Sequence, residues 1–121
     1  MSRRPSLLHR LTASAESLDA VDLQDEVEER SCTAMCNLDR GKFVRVVGRL
    51  RSVVYTPSET VPTLEAELFD GSESLDLVWL GRRRIAGVEP GRRVEARGRV
   101  GVHNGRLAIY NPWYELLGPG A

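Results

Sequence analysis

The chain is poor in the residues that most often carry chemistry. Its 121 residues include two cysteines, two histidines, one lysine and seven aromatics (two Trp, three Tyr, two Phe). Each scarcity excludes something. Cys32 and Cys36, in "CTAMC", are spaced more widely than the close pair of a zinc knuckle, and no second pair or nearby His completes four ligands. They read as reduced structural thiols, as a cytosolic redox state favours. His9 and His103 stand alone in the sequence, without the partner a nucleophile or base needs. "GKF" at 41–43 lacks the earlier Gly and the following Ser or Thr of a phosphate loop, and the acidic stretch before it lacks the spaced ligands and Gly of a calcium loop. No constellation supports catalysis, and no metal or cofactor is expected.

Long apolar runs are missing too. The apolar fraction is 41%, and nothing approaches the ~18 consecutive apolar residues of a membrane span. The first thirty residues lack the apolar core of a secretory signal. Arg3, Arg4 and Arg10 around Leu7, Leu8 and Leu11 suggest a transit peptide only until Glu16, Asp19, Asp22 and Asp25 follow, because such peptides are acid-poor. A cytoplasmic protein without membrane contact is expected. The length predicts one domain, with roughly 80 residues left for a core after an N-terminal appendage and no room for a large catalytic fold.

Net charge is zero, but it is unevenly distributed. Residues 1–38 carry four Arg against seven acids, and residues 39–121 carry thirteen basic residues against ten acids, so an acidic arm of net −3 precedes a module of net +3. Sixteen of the seventeen basic residues are Arg. The guanidinium is a planar, multi-donor fork suited to phosphate or carboxylate, although the same bias follows from a GC-rich genome.

Along the chain, "PSLLHRL" predicts a short amphipathic helix, and Ser17 is placed to cap a second one with Leu18, Val21 and Val27 on its apolar side and a strongly acidic opposite face. This arm, residues 1–38, is expected to be partly helical, with its acids either solvated or laid over the basic face of the next module. From Lys42 the period changes to two. "KFVRVVGRLRSVVY" puts Val44, Val46, Leu50 and Val54 on one side and Arg45, Arg49 and Arg51 on the other, with Gly48 suited to a bend. "TLEAELFDG" turns Leu64, Ala66 and Leu68 inward and Glu65 and Glu67 outward, and "SLDLVWLG" follows with Leu75, Leu77 and Trp79 in phase. "RRRIAGVEPG" is a short connection able to hold a helical turn or two. "RRVEARGRVGVH" and "RLAIYNP" are two further strands joined by Asn104-Gly105, a strong hairpin signal. Five short strands with a helical link between the third and fourth predict a mainly β protein, the five-stranded Greek-key barrel called the OB-fold, over residues 39–117, with 118–121 as a tail.

"VRVVGRLRSV", "LEAELFDGSESLDLVWLG" and "EPGRRVEARGRVGVHNGRLAIYNPWYEL" together resemble nucleic-acid-binding OB-fold modules. These include the wedge domain of the branch-migration helicase RecG and tRNA anticodon-binding domains, and the sequence looks most like the small stand-alone OB-fold proteins of actinobacteria. The resemblance spans about residues 40–117 and implies binding of single-stranded or structured DNA or RNA, without a helicase motor.

Such binding combines a basic groove with aromatics on which bases stack. OB-folds usually bind on their second and third strands, where Glu65 and Glu67 would repel phosphate, so the first and fourth strands are the better basic face. The candidate contacts are Arg45, Arg49, Arg51, Arg97, Arg99 and Arg106, the triplet Arg82, Arg83 and Arg84, and the aromatics Tyr55 and Tyr110. Cross-strand ion pairs with Glu65 and Glu67 are the competing role for Arg45, Arg49 and Arg51. Trp79 is in phase with the core, and of Trp113 and Tyr114 one seals the core and the other is exposed. The expected function is nucleic-acid binding without catalysis. A protein-interaction adaptor using the barrel or the acidic arm is the alternative.

Overall fold

The computed structural model describes the backbone of residues 7–118 and the side chains from Ser17 onwards. Among the described residues, an α-helix, α1 (Leu7–Glu29), and a single 3-10 turn (Met35–Asn37) precede six strands: β1 (Phe43–Thr56), β2 (Thr63–Phe69), β3 (Ser74–Leu80), β4 (Arg93–His103), β5 (Arg106–Tyr110) and β6 (Trp113–Leu116). The strands are neighbours in the order β1-β2-β3-β5-β4-β6, and β1 also pairs with β4, so the first five close into a ring. Only the β3–β5 pairing is parallel. Ring closure depends on the length of β1, whose first half pairs with β4 and whose second half pairs with β2.

The hand-over between those partners occurs at two features of β1. Gly48 is one: a Cβ there would lie 2.3 Å from the Phe69 carbonyl oxygen, so only Gly lets the strands approach. The other is a bulge between Leu50 and Ser52. An added residue reverses the side-chain phase. Val53 and Tyr55 therefore pack on the core, while Val54, expected inward, is exposed. The expected outward placement of Tyr55 is corrected by the same bulge.

Inside the ring, alternate residues of every strand interdigitate, among them Val46, Leu50, Leu68, Leu77, Val94 and Ile109. Trp79 is buried there and meets Tyr114 edge to face, with ring centroids 5.6 Å apart. The hairpin forms at Asn104 and Gly105, both with positive φ.

Three expectations need correction. The β3–β4 connection contains no helix, because Gly81, Gly87 and Gly91 all take positive φ and Pro90 adds a further break, leaving a run of turns pinned by buried Ile85 and Val88. The chain also forms a sixth strand after Pro112, paired with the first half of β4. Thirdly, the two helices expected in the arm are one: no Gly or Pro interrupts residues 7–29, and Ser17 lies inside α1 instead of capping a second helix. Pro5 and the side chains of Leu7, Leu8 and Leu11 lie outside the described residues.

Helix α1 ends in a Schellman arrangement. Ser31 has φ 55°, its N–H donates to the Glu28 carbonyl, and the Cys32 N–H donates to the Val27 carbonyl. Val27, Val47 and Leu117 then form a small second cluster outside the ring, with Cys32 packed against it. The buried carboxylate of Asp70 ties the following segment to the β2–β3 turn. It accepts from the Met35 N–H at 2.7 Å, the Ser72 N–H and hydroxyl, and the Glu73 N–H.

Candidate nucleic-acid interface

The outer face of β1, β4 and β6 is a grid whose rows follow from strand register. Phe43 lies opposite Arg99. In the next row Arg45 lies opposite Arg97, and Arg97 opposite Trp113. Val47, Glu95 and Glu115 follow, and then Arg49 with Arg93. Antiparallel pairing of two Arg-alternating strands thus sets arginine beside arginine.

Glu95 is what makes this arrangement tolerable. Its side chain is 3% exposed and is met by Arg30 at 3.3 Å, Arg45 at 3.4 Å and Arg97 at 3.3 Å. Burial alone would push its carboxyl up. The hydrogen bonds and charge of Arg45, with hydrogen bonds from Arg97 and Arg30, outweigh it and hold Glu95 below the usual carboxylate range. One buried anion therefore organises three guanidinium groups. Nearby, burial first and the Glu95 charge second push the Cys32 thiol up, which suits a structural thiol and not a nucleophile.

The first two rows are open. Arg97 stacks on Trp113 with its guanidinium carbon 4.2 Å from the ring centroid. Phe43 is 68% exposed and Trp113 50%. Arg99 is exposed, donates to the Gly41 carbonyl and has no carboxylate partner among the described residues. Arg40 and Lys42 are exposed in the turn that leads into β1, with Asp39 the neighbouring acid in the sequence.

The other expected contact residues are dispersed. Arg49 is paired with Asp19 of α1 at 3.0 Å. Arg51 stacks 3.5 Å over Phe69 and lies 3.8 Å from Glu67, the one case of the expected pairing between β1 arginines and the β2 glutamates. Arg106 grips Asp76 through two nitrogens at 2.9 and 3.2 Å, with Glu67 at 4.0 Å. The β2–β3 face is accordingly neutralised by its own ion pairs. Arg82, Arg83 and Arg84 are exposed in the β3–β4 connection, where Arg83 lies 5.7 Å from the half-buried Tyr55 ring, and no contact among the described residues joins them to the Arg97 and Arg99 rows.

Tyr110 is 40% exposed, but its hydroxyl is held by the Val102 carbonyl and by His103 Nδ1 at 2.8 Å. His103, alone in the sequence, is not alone in space: its Nε2 meets Glu65, which the closed ring brings in from 38 residues away. This bridge locks the β4–β5 hairpin onto β2.

Sequence reasoning did not select Phe43 and Trp113. Phe43 shared the outward phase of Arg45, so the signal was present. Adjacent Trp113 and Tyr114 gave only that one faces outward.

The structure defines a mainly β protein with a five-strand closed ring and an arginine-rich outer face. No protein-family model and no curated protein matches the chain. Among solved structures it is similar to RecG bound to a three-way DNA junction, at 24% identity and a TM-score of 0.54. The match covers 67% of this chain but only 12% of the RecG chain, so this protein corresponds to a small part of that one. The likeness is one of fold. Among the described residues, no helix is long and apolar enough to cross a membrane.

Proposed function

We propose that this chain is a non-enzymatic, cytoplasmic OB-fold module that binds single-stranded or structured DNA or RNA through the outer face of β1, β4 and β6. The observation that carries the proposal is the open pair of rows in which Arg45, Arg97 and Arg99 alternate with exposed Phe43 and Trp113. Guanidinium groups suit backbone phosphates, and an exposed ring offers a base a stacking surface without demanding a sequence. The fold shared with a DNA-bound RecG supports the same reading.

Fluorescence anisotropy with short labelled DNA and RNA tests it. Dissociation constants of about 10⁻⁴ to 10⁻⁶ M are expected, rising steeply with salt and varying little with sequence. Absence of binding at low salt would favour the adaptor reading, in which a protein partner meets the ring or the acidic helix.

A further inference from the structure

The same grid continues beneath α1. Arg49 and Arg93 face each other across β1 and β4, about 20 Å along the strand from the Arg99 row at ~3.3 Å per residue. Their ligands are the carboxylates of the helix. Asp19 Oδ1 accepts from Arg49 at 3.0 Å, and Glu26 Oε2 accepts from Arg93 at 2.9 Å and from Arg30 at 3.1 Å. The two acids lie on one side of α1, two turns apart, because seven residues separate them.

The helix is not sealed onto this part of the sheet. Between them lies a cleft of about 680 Å³, lined by Asp22, Asp25, Glu26 and Glu29 on one side and Arg49 and Arg93 on the other. Leu23 and Val27 are the buried apolar residues of the described helix, and Gln24 donates to the Gly71 carbonyl at the β2–β3 turn. The arginines also donate to the Gly91 and Gly118 carbonyls, which orients them without neutralising their charge. Glu26 Oε1 and Arg93 Nε are buried with no partner among the described residues, so the pairing leaves hydrogen-bonding capacity unused at the junction itself.

Building on the nucleic-acid reading, we propose that Arg49 and Arg93 form a second phosphate subsite of the interface, occupied in the resting protein by Asp19 and Glu26. A strand long enough to pass from Arg99 and Arg97 towards Arg93 replaces the helix carboxylates with its own phosphates. A strand confined to the open rows leaves α1 in place. The helix thereby sets how much nucleic acid the face accepts.

The test compares oligonucleotides of about 4 and about 12 nucleotides, the range covered by single OB-folds, on the full chain and its Asp19→Asn/Glu26→Gln variant. The variant should bind the longer strand about three- to thirtyfold more tightly, as expected for releasing one partly exposed pair and one largely buried pair, and the shorter strand unchanged. Adding Arg49→Ala and Arg93→Ala should erase the gain. Should buried Glu26 resist substitution, Asp19→Asn alone must still give a smaller, length-dependent gain that Arg49→Ala removes. Equal binding by parent and variant, or a gain independent of length, overturns the subsite and leaves the open rows as the interface. Absence of binding by every form overturns both.

Discussion

The guanidinium carbon of Arg97 lies over the Trp113 ring, 4.2 Å from its centroid, while its nitrogens reach the buried carboxylate of Glu95. A guanidinium held by the ring and by a carboxylate is pre-oriented, so under the proposed function less conformational entropy is lost when it meets a phosphate. This residue joins the two parts of the site, the buried acid that organises the arginines and the exposed ring beside them.

Trp113 and Tyr114 should separate binding from stability. Trp113→Ala removes a half-exposed ring and is expected to lower oligonucleotide affinity by roughly 1–3 kcal/mol at every salt concentration, with little effect on unfolding. Tyr114→Ala removes the edge-to-face partner of Trp79 and should destabilise the fold by about 2–4 kcal/mol in urea denaturation. A reversal of those effects would show that Trp113 is the structural ring.

Acid should weaken the fold through Glu95. A carboxyl whose folded pKa lies below its unfolded value contributes stability that is complete above about 4.3, the ordinary Glu value, and is lost as pH falls through the folded value. Stability should therefore decline below about pH 4.3. Glu95→Gln should cost about 2–4 kcal/mol at pH 7, because three half-exposed arginines lose their shared anion, and should flatten that acid limb. Denaturant midpoints between pH 3 and 7 measure both effects.

The hinge in β1 should tolerate nothing larger than Gly. Gly48→Ala drives a methyl group into the Phe69 carbonyl and is expected to cost about 1–3 kcal/mol, read as a lower thermal midpoint with the fold retained. An unchanged midpoint would mean that β1 and β2 separate there without penalty.

Alternation in the sequence was enough to read most of the ring, because Val44, Val46, Leu64, Leu68, Leu75 and Leu77 each sit where a period of two puts them. It failed at Tyr55 and Val54, where one extra residue in β1 reverses the phase and no local signal announces it. The helical link failed for a different reason. "RRRIAG" has helix-compatible residues, but the backbone needs three left-handed glycines to bring Ile85 and Val88 over the core. The interface was half legible. Outward arginines could be found by phase, but most of their partners could not, since the bonds of Arg45 to Glu95 and Arg106 to Asp76 depend on which strands become neighbours, and that of Arg49 to Asp19 depends on where α1 packs.

The most direct measurement is salt-dependent anisotropy on one labelled single strand for the parent, Arg97→Ala/Arg99→Ala and Arg82→Ala/Arg83→Ala. Binding through the β1, β4 and β6 face predicts that the first variant loses affinity, with a shallower plot of log affinity against log salt by about 0.7 for each lost phosphate contact. The second variant should stay close to the parent, because its arginines stand apart from the rows that carry Trp113 and Phe43. Loss of binding in the Arg82 and Arg83 variant alone, with the Arg97 and Arg99 variant intact, would contradict the account and move the contact surface to the β3–β4 connection.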